Sequence, residues 1–235
     1  FSHHEWQTNF LNKESALNKS IYMTFFLICL CILVFVENLS ANNNIAVLLP
    51  YFNLAVILLL LLFAIPLYIK KDWSFTQSWY CGIVYIYFPL IVGVYFLQQN
   101  FEVNRWIALG LVIINWCNDS FAYFTGRIFG RTPLAPGISP KKTIEGALGG
   151  IAFGILAAYL LNLYLFEVSY PIEKIIVLGF TVCIAGISGD LYESKMKRLA
   201  GIKDSGTLLP GHGGFLDRFD SFFYIIPIGI FVISI

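Results

Sequence analysis

Long apolar runs alternate with short polar stretches along this chain, and the apolar runs have the length of membrane-crossing helices rather than of strands or core helices. A helix needs about 20 mainly apolar residues to cross the hydrocarbon layer. Seven stretches approach or reach that length: 21–36, 45–69, 79–97, 106–123, 147–166, 172–189 and 221–235. The expected fold class is therefore all-α, a polytopic transmembrane helix bundle of about seven spans. The opening 20 residues are polar and precede a full-length apolar run, so the first span is expected to stay in the membrane rather than be cleaved.

Composition agrees with the pattern. Of 235 residues, 58% are hydrophobic and 12% charged, against about 25% charged in an ordinary soluble domain. The net charge of +1 says little; the placement of the charges says more. If the seven spans hold, one side of the membrane carries Lys13, Lys19, Lys70, Lys71, Arg127, Arg131, Lys141, Lys142, Lys195, Lys197, Arg198, Lys203 and Arg218. The other side carries Arg105 and Lys174. By the positive-inside rule the basic side faces the cytoplasm. Cys29, Cys31, Cys81, Cys117 and Cys183 all fall in apolar runs without C-x-x-C spacing and read as buried small apolar residues.

These marks divide the chain into a cytoplasmic N-terminal segment (1–20), an apolar scaffold (21–105) and a catalytic membrane region (106–235) with cytoplasmic loops at 124–146 and 190–220. Polar chemistry begins in the third part. Asn115, Asn118 and Asp119 stand at i, i+3 and i+4 and share a helix face. A carboxylate at membrane depth costs several kcal/mol and faces a cavity or a partner, although contact between helices explains the asparagines equally well. The loop at 124–146 holds four basic residues among glycines able to offer backbone N–H groups to phosphates.

The densest polar segment runs from Asp190 to Asp220. If the sixth helix continues past Gly189, Asp190, Glu193, Ser194, Lys197 and Arg198 line one face. A Leu-Pro-Gly-His-Gly-Gly loop follows at 209–214, and then Asp217 and Asp220 at i and i+3. Acids and bases are balanced five to five across the segment, whereas a loop that only attracted anionic lipid would be mostly basic. Mixed charge suits a metal–phosphate site, with carboxylates for Mg²⁺ and Lys or Arg for the charge of a transferred phosphoryl group. His212 reads as a phosphate hydrogen-bond donor or a loop residue.

The segment resembles the phosphatidate cytidylyltransferases, also called CDP-diacylglycerol synthases. The matching residues are Ser194, Met196, Lys197, Arg198, Lys203, Asp204, Gly206, Leu209, Pro210, His212, Gly213, Gly214, Phe215, Asp217, Arg218, Phe219 and Asp220. Upstream, Asn118–Asp119, Gly126–Arg127 and the block from Ser139 to Thr143 are also similar to the family. The resemblance implies transfer of a cytidylyl group from CTP to phosphatidate, giving CDP-diacylglycerol and pyrophosphate. It implies Asp190, Asp217 and Asp220 as Mg²⁺ ligands, with K⁺ as a candidate second cation. It further implies Lys197 as catalytic, and Ser194, Arg198, Lys142, Lys203, His212, Arg218 and Asp119 as substrate-binding positions. The expected partners are CTP and phosphatidate in membrane lipid, with no nucleic acid and with a homodimer as one permitted assembly.

Three other readings stay open on sequence grounds. A CTP-dependent enzyme acting on an isoprenoid-type lipid would carry similar polar motifs. A transporter would use Asp119 and Asp190 as ion ligands, but its polar residues should then be shared between two chain halves. An intramembrane aspartyl protease would pair the same two acids, yet Ile187 breaks the Gly-x-Gly-Asp pattern and the cations would be left without a role.

Overall fold

The structure is a computed structural model and describes residues 83–206 and 214–235. A π-helical turn (Ile83–Tyr87) leads into α1 (Phe88–Gln99), and Asn100 alone separates α1 from α2 (Phe101–Phe129). A short antiparallel hairpin, β1 (Pro133–Ala135) and β2 (Ser139–Thr143), connects α2 to α3 (Ile144–Tyr164). Then come α4 (Ile172–Ala200), the single turn α5 (Leu216–Phe219) and α6 (Phe222–Ser234).

Three of these helices, α2, α3 and α4, are long and apolar enough to cross a membrane. At 1.5 Å per residue the 29 residues of α2 or of α4 extend roughly 43 Å, more than the hydrocarbon layer requires. Their outward faces are apolar. Leu148, Leu156, Leu160 and Leu163 on α3, and Ile176, Val177, Phe180 and Ile184 on α4, are exposed. The expected spans at 21–36 and 45–69 lie outside the described residues, so the seven-span expectation is supported for three helices. The expected span at 79–97 overlaps the π-turn and α1, and that at 221–235 overlaps α6.

The described residues are mostly helical, as expected, with one short hairpin added. Pro133 pairs with Thr143 and Ala135 with Ser139. Strands of three and five residues containing prolines, lysines and a glycine-bearing turn show no period-2 alternation, so their sequence reads as loop. Pro is tolerated because neither strand has a neighbour on its outer edge.

Close packing at glycines sets the helix spacing. On α3, a Cβ at Gly150 would lie 2.6 Å from the Asn118 carbonyl oxygen, and one at Gly146 would lie 2.7 Å from that of Ala122. The Thr143 hydroxyl caps α3 by accepting the Gly146 N–H at 3.1 Å. At the far end of the bundle, Trp106 donates to Glu167 at 3.0 Å, which ties the start of α2 to the α3–α4 connection. Arg105 and Lys174 belong to that end, and the hairpin with Arg127, Arg131, Lys141 and Lys142 to the opposite one. The core lies between α2, α4 and α6, with Ile114, Ile175, Leu178, Val182 and Ile225 fully buried.

Candidate active site

The site forms where the hairpin and the ends of α2, α4 and α6 meet. Helix α4 continues well past Gly189, as the spacing of its polar residues anticipates, and stops at Ala200. Gly201 takes φ +73°, and the N–H groups of Gly201 and Ile202 return to Arg198 and Lys197. This is a left-handed C-terminal cap that glycine adopts without strain.

Three groups of side chains surround that continuation. On α2, the carboxamides of Asn115 and Asn118 donate to the two oxygens of Asp119 at 3.1 and 3.4 Å. Both asparagines are buried. From β2, Lys142 reaches across to α4 and pairs with Asp190, whose other oxygen accepts the Ser194 hydroxyl at 3.2 Å. One turn further along α4, Lys197 is held between Glu193 at 2.5 Å and Asp217 at 2.7 Å.

Asp217 has a second set of partners. Its other oxygen accepts the backbone N–H groups of Ser205 and Gly214 at 2.9 and 2.8 Å. Burial alone would raise its pKa. Hydrogen bonds with Glu193 and Lys197, and from the Gly214 and Ser205 backbone, outweigh burial and hold it at about 2. One carboxylate thereby joins α4 to both ends of the segment between α4 and α5.

Asp220 takes a different environment. One of its oxygens accepts the Ser221 N–H at 2.6 Å and the Ser221 hydroxyl at 3.2 Å. Its backbone carbonyl accepts the Tyr85 hydroxyl at 3.1 Å. A Cβ at Gly189 would stand 2.8 Å from that same carbonyl oxygen, so only glycine lets α4 approach closely enough to set Asp190 beside Asp220. Burial, and then repulsion from Asp190, push the Asp220 carboxyl up to about 7.

Asp119, Lys142, Asp190, Ser194, Lys197, Asp217 and Asp220 are thus gathered at one end of the bundle. Arg198, Lys203 and Arg218 are exposed near it, with the Arg198 guanidinium on the Ile202 carbonyl at 3.3 Å. His212 lies outside the described residues. Sequence reasoning did not anticipate Tyr85, which sits unmarked in an apolar run, or Ser205. It counted Glu193 on the polar face of α4 without foreseeing that it is buried beside Lys197.

Asp190 and Asp220 fit a divalent cation. They are neighbouring acids whose mutual repulsion a cation would relieve, and Mg²⁺ needs only one or two carboxylates when phosphate oxygens complete its shell. Among the described residues, no three of His, Cys, Asp and Glu form a ready-made ligand cluster. Asp217 has both oxygens engaged by Lys197 and the backbone, and Asp190 has both engaged by Lys142 and Ser194, so a cation at either acid would displace a partner.

Beside the acids lies a cavity of about 470 Å³ between α2, the hairpin, the start of α3, and α4. Asp119, Lys142 and Asp190 contribute to its wall, together with Tyr123, Arg127 and Lys141.

Fold and site together describe a helical membrane-type protein with an acid- and cation-lined centre at one end. The whole chain, residues 1–235, matches the cytidylyltransferase family, and the chain belongs to that family. A phosphatidate cytidylyltransferase of Aquifex aeolicus is 37% identical over 158 residues, 67% of this chain and 58% of that protein. The enzyme of the same name from Staphylococcus epidermidis is 38% identical over 159 residues, 68% of this chain and 60% of its own. That of Bacillus subtilis is 34% identical over 185 residues, 78% of this chain and 68% of its own. The chain thus spans about three fifths of the length of the first two relatives.

Proposed function

We propose that this chain carries the cytidylyl-transfer centre of a phosphatidate cytidylyltransferase, making CDP-diacylglycerol and pyrophosphate from CTP and phosphatidate. The observation that carries the reading is the convergence of Lys142, Asp190 and Ser194 with Lys197, Asp217 and Asp220, from the hairpin, α4, α5 and the junction before α6, in a chain of this family.

In this reaction an oxygen of the lipid phosphate attacks the α-phosphorus of CTP. The new P–O bond forms as the bond to the bridging α–β oxygen breaks, and the electron pair leaves with pyrophosphate. A phosphate monoester is already anionic near neutral pH, so no side chain has to deprotonate the nucleophile. What the protein must supply is positioning and compensation of charge.

Asp190 and Asp220 would hold Mg²⁺, which when bound neutralises phosphate oxygens of the nucleotide. Asp217 serves the same centre one step removed, by fixing Lys197 at the end of a buried ion-paired network. Lys197 and Ser194 face the transferred phosphate, and Arg198, Lys203, His212 and Arg218 supply cationic or hydrogen-bonding groups toward the departing pyrophosphate. Asp119, held by two buried carboxamides, sets the charge opposite Lys142. The basic end of the bundle faces the cytoplasm, so CTP arrives from water and lipid from the bilayer.

Asp220→Asn should abolish formation of CDP-diacylglycerol from labelled CTP and phosphatidate while membrane insertion is kept. Full activity in that variant would sink the metal assignment. A nucleotide-by-lipid matrix of CTP, dCTP and ATP against phosphatidate and isoprenoid lipids tests the substrate pair, and turnover with isoprenoid lipid alone would redirect the reading.

A further inference from the structure

The cavity beside the acids is lined by groups of different character. Asp119, Lys142 and Asp190 share its wall with two exposed cations, Arg127 and Lys141. Leu134 and Ile187 add apolar surface to the same wall. Arg127 sits in the final turn of α2, a helix long enough to cross the bilayer, and its guanidinium lies 3.5 Å from the Tyr123 hydroxyl. Around it the same end of α2 exposes Tyr123, Phe124, Ile128 and Phe129, each more than half accessible.

An Arg and a Tyr at the end of a crossing helix, flanked by exposed aromatic and aliphatic side chains, lie at the depth of lipid head groups. Cations there meet lipid phosphate before they meet a nucleotide. A phosphate monoester carries about −1.5 to −2 charges at neutral pH, more than the single charge of a phosphodiester lipid. Two exposed cations, with the half-buried Lys142 in the same cavity wall, match the monoester better.

We infer that the α2–hairpin cavity is the seat of the lipid substrate's phosphate monoester, with Arg127 and Lys141 as its binding residues and the exposed end of α2 as the path of its acyl chains. The inference rests on the activity proposed above and names residues for one of its two substrates. In this arrangement the monoester enters beneath the hairpin from the bilayer side and reaches Lys142 and Asp190 with an oxygen directed inward. The nucleotide is left to the α4–α5 side of the acids. Discrimination against ordinary phospholipids follows from charge, because a diester offers one negative oxygen fewer to the same cations.

The test uses Arg127→Gln, Lys141→Gln, the double variant and Arg127→Lys, purified in detergent and checked for unchanged elution and melting. Initial rates in mixed micelles should show the KM for phosphatidate raised about tenfold by each Gln substitution and further in the double variant, as expected for loss of a charge-assisted hydrogen bond. The KM for CTP should stay within twofold, and Arg127→Lys should recover part of the loss. Equilibrium retention of radiolabelled phosphatidate should fall in the double variant, while retention of diacylglycerol, which lacks the phosphate, stays unchanged. A raised KM for CTP with an unchanged KM for phosphatidate, or no change in either, overturns the inference. Should the wild-type protein turn over no CTP with phosphatidate, the activity reading fails. The retention arm then still decides the site, for which loss of phosphatidate binding in the double variant is support and its persistence is refutation.

Discussion

Lys197 illustrates how little a residue's type says about its availability. An ammonium on the polar face of a helix would ordinarily serve as a mobile cation, yet here Glu193 and Asp217 hold it from two sides. Asp217 in turn binds the backbone before and after the connecting segment. Replacing Asp217 with Ala is expected to lower activity by two orders of magnitude or more, because it leaves Lys197 to Glu193 alone and releases the segment at the same time. Comparison with Lys197→Met, measured as turnover with CTP and phosphatidate, should show losses that do not add, since the two groups act as one unit.

The same carboxylate makes a prediction about acid. Its folded pKa of about 2 lies below the ordinary 3.8, so its contribution is fully present above about pH 4 and is lost as the pH falls through about 2. Pepsin cleavage between Ala200 and Leu216 should rise steeply from pH 4 to pH 2 in the wild-type protein. In Asp217→Ala it should be high already at pH 4, and equal cleavage of the two proteins at pH 4 would contradict the clamp.

Among the elements, α4 decides the geometry, and its approach to the chain before α6 depends on Gly189. A methyl group there would meet the Asp220 carbonyl at 2.8 Å and the Ser221 Cα at 3.0 Å, neither of which belongs to a flexible side chain. Gly189→Ala should cost about 1–3 kcal/mol, in line with overpacking of a tight contact, and should impair activity beyond its effect on melting. Gly154→Ala offers a contrast, since the Cβ there would meet mainly the Cys183 thiol, a side-chain atom rather than backbone. Thermal unfolding in detergent should rank Gly189→Ala as the more damaging change.

Which elements could be read in advance follows from their physics. Apolar runs reveal α2, α3 and α4 because length and hydropathy need no partner to be recognised. The continuation of α4 to Ala200 is also legible, since its polar residues keep the helical spacing while leaving the membrane. The hairpin was not legible, because its strands are too short to show alternation and its prolines and lysines favour loop. The i, i+3 spacing of Asp217 and Asp220 is legible, and both reach the site. Their partners differ because Asp217 caps backbone brought back from Ser205 and Gly214, a contact that spacing within α5 cannot reveal.

At the scale of the molecule, the cations of the described helices and hairpin divide between the two ends as the charge count divides them. Arg105 and Lys174 belong to the end marked by Trp106 and Glu167, and the hairpin carries its cations at the other. The hairpin tip provides a probe of sidedness, since a Cβ at Gly137 would meet nothing within 4 Å. Gly137→Cys should react with an impermeant maleimide in inside-out vesicles and be protected in intact spheroplasts. The unsubstituted protein, which carries five cysteines, serves as the background control. Labelling from the outside would reverse the orientation.

The glycine contacts between α2 and α3 also bear on how the chain is built. Those two helices and the hairpin between them are contiguous in sequence and touch at Gly146 and Gly150 without help from α4. During synthesis they can pair as soon as α3 has emerged, with Lys142 already in place on the hairpin. Helix α4 follows, bringing Asp190 to a positive charge already in place. The order of the chain thus sets the Lys142 ammonium in place before the carboxylate it pairs with is made.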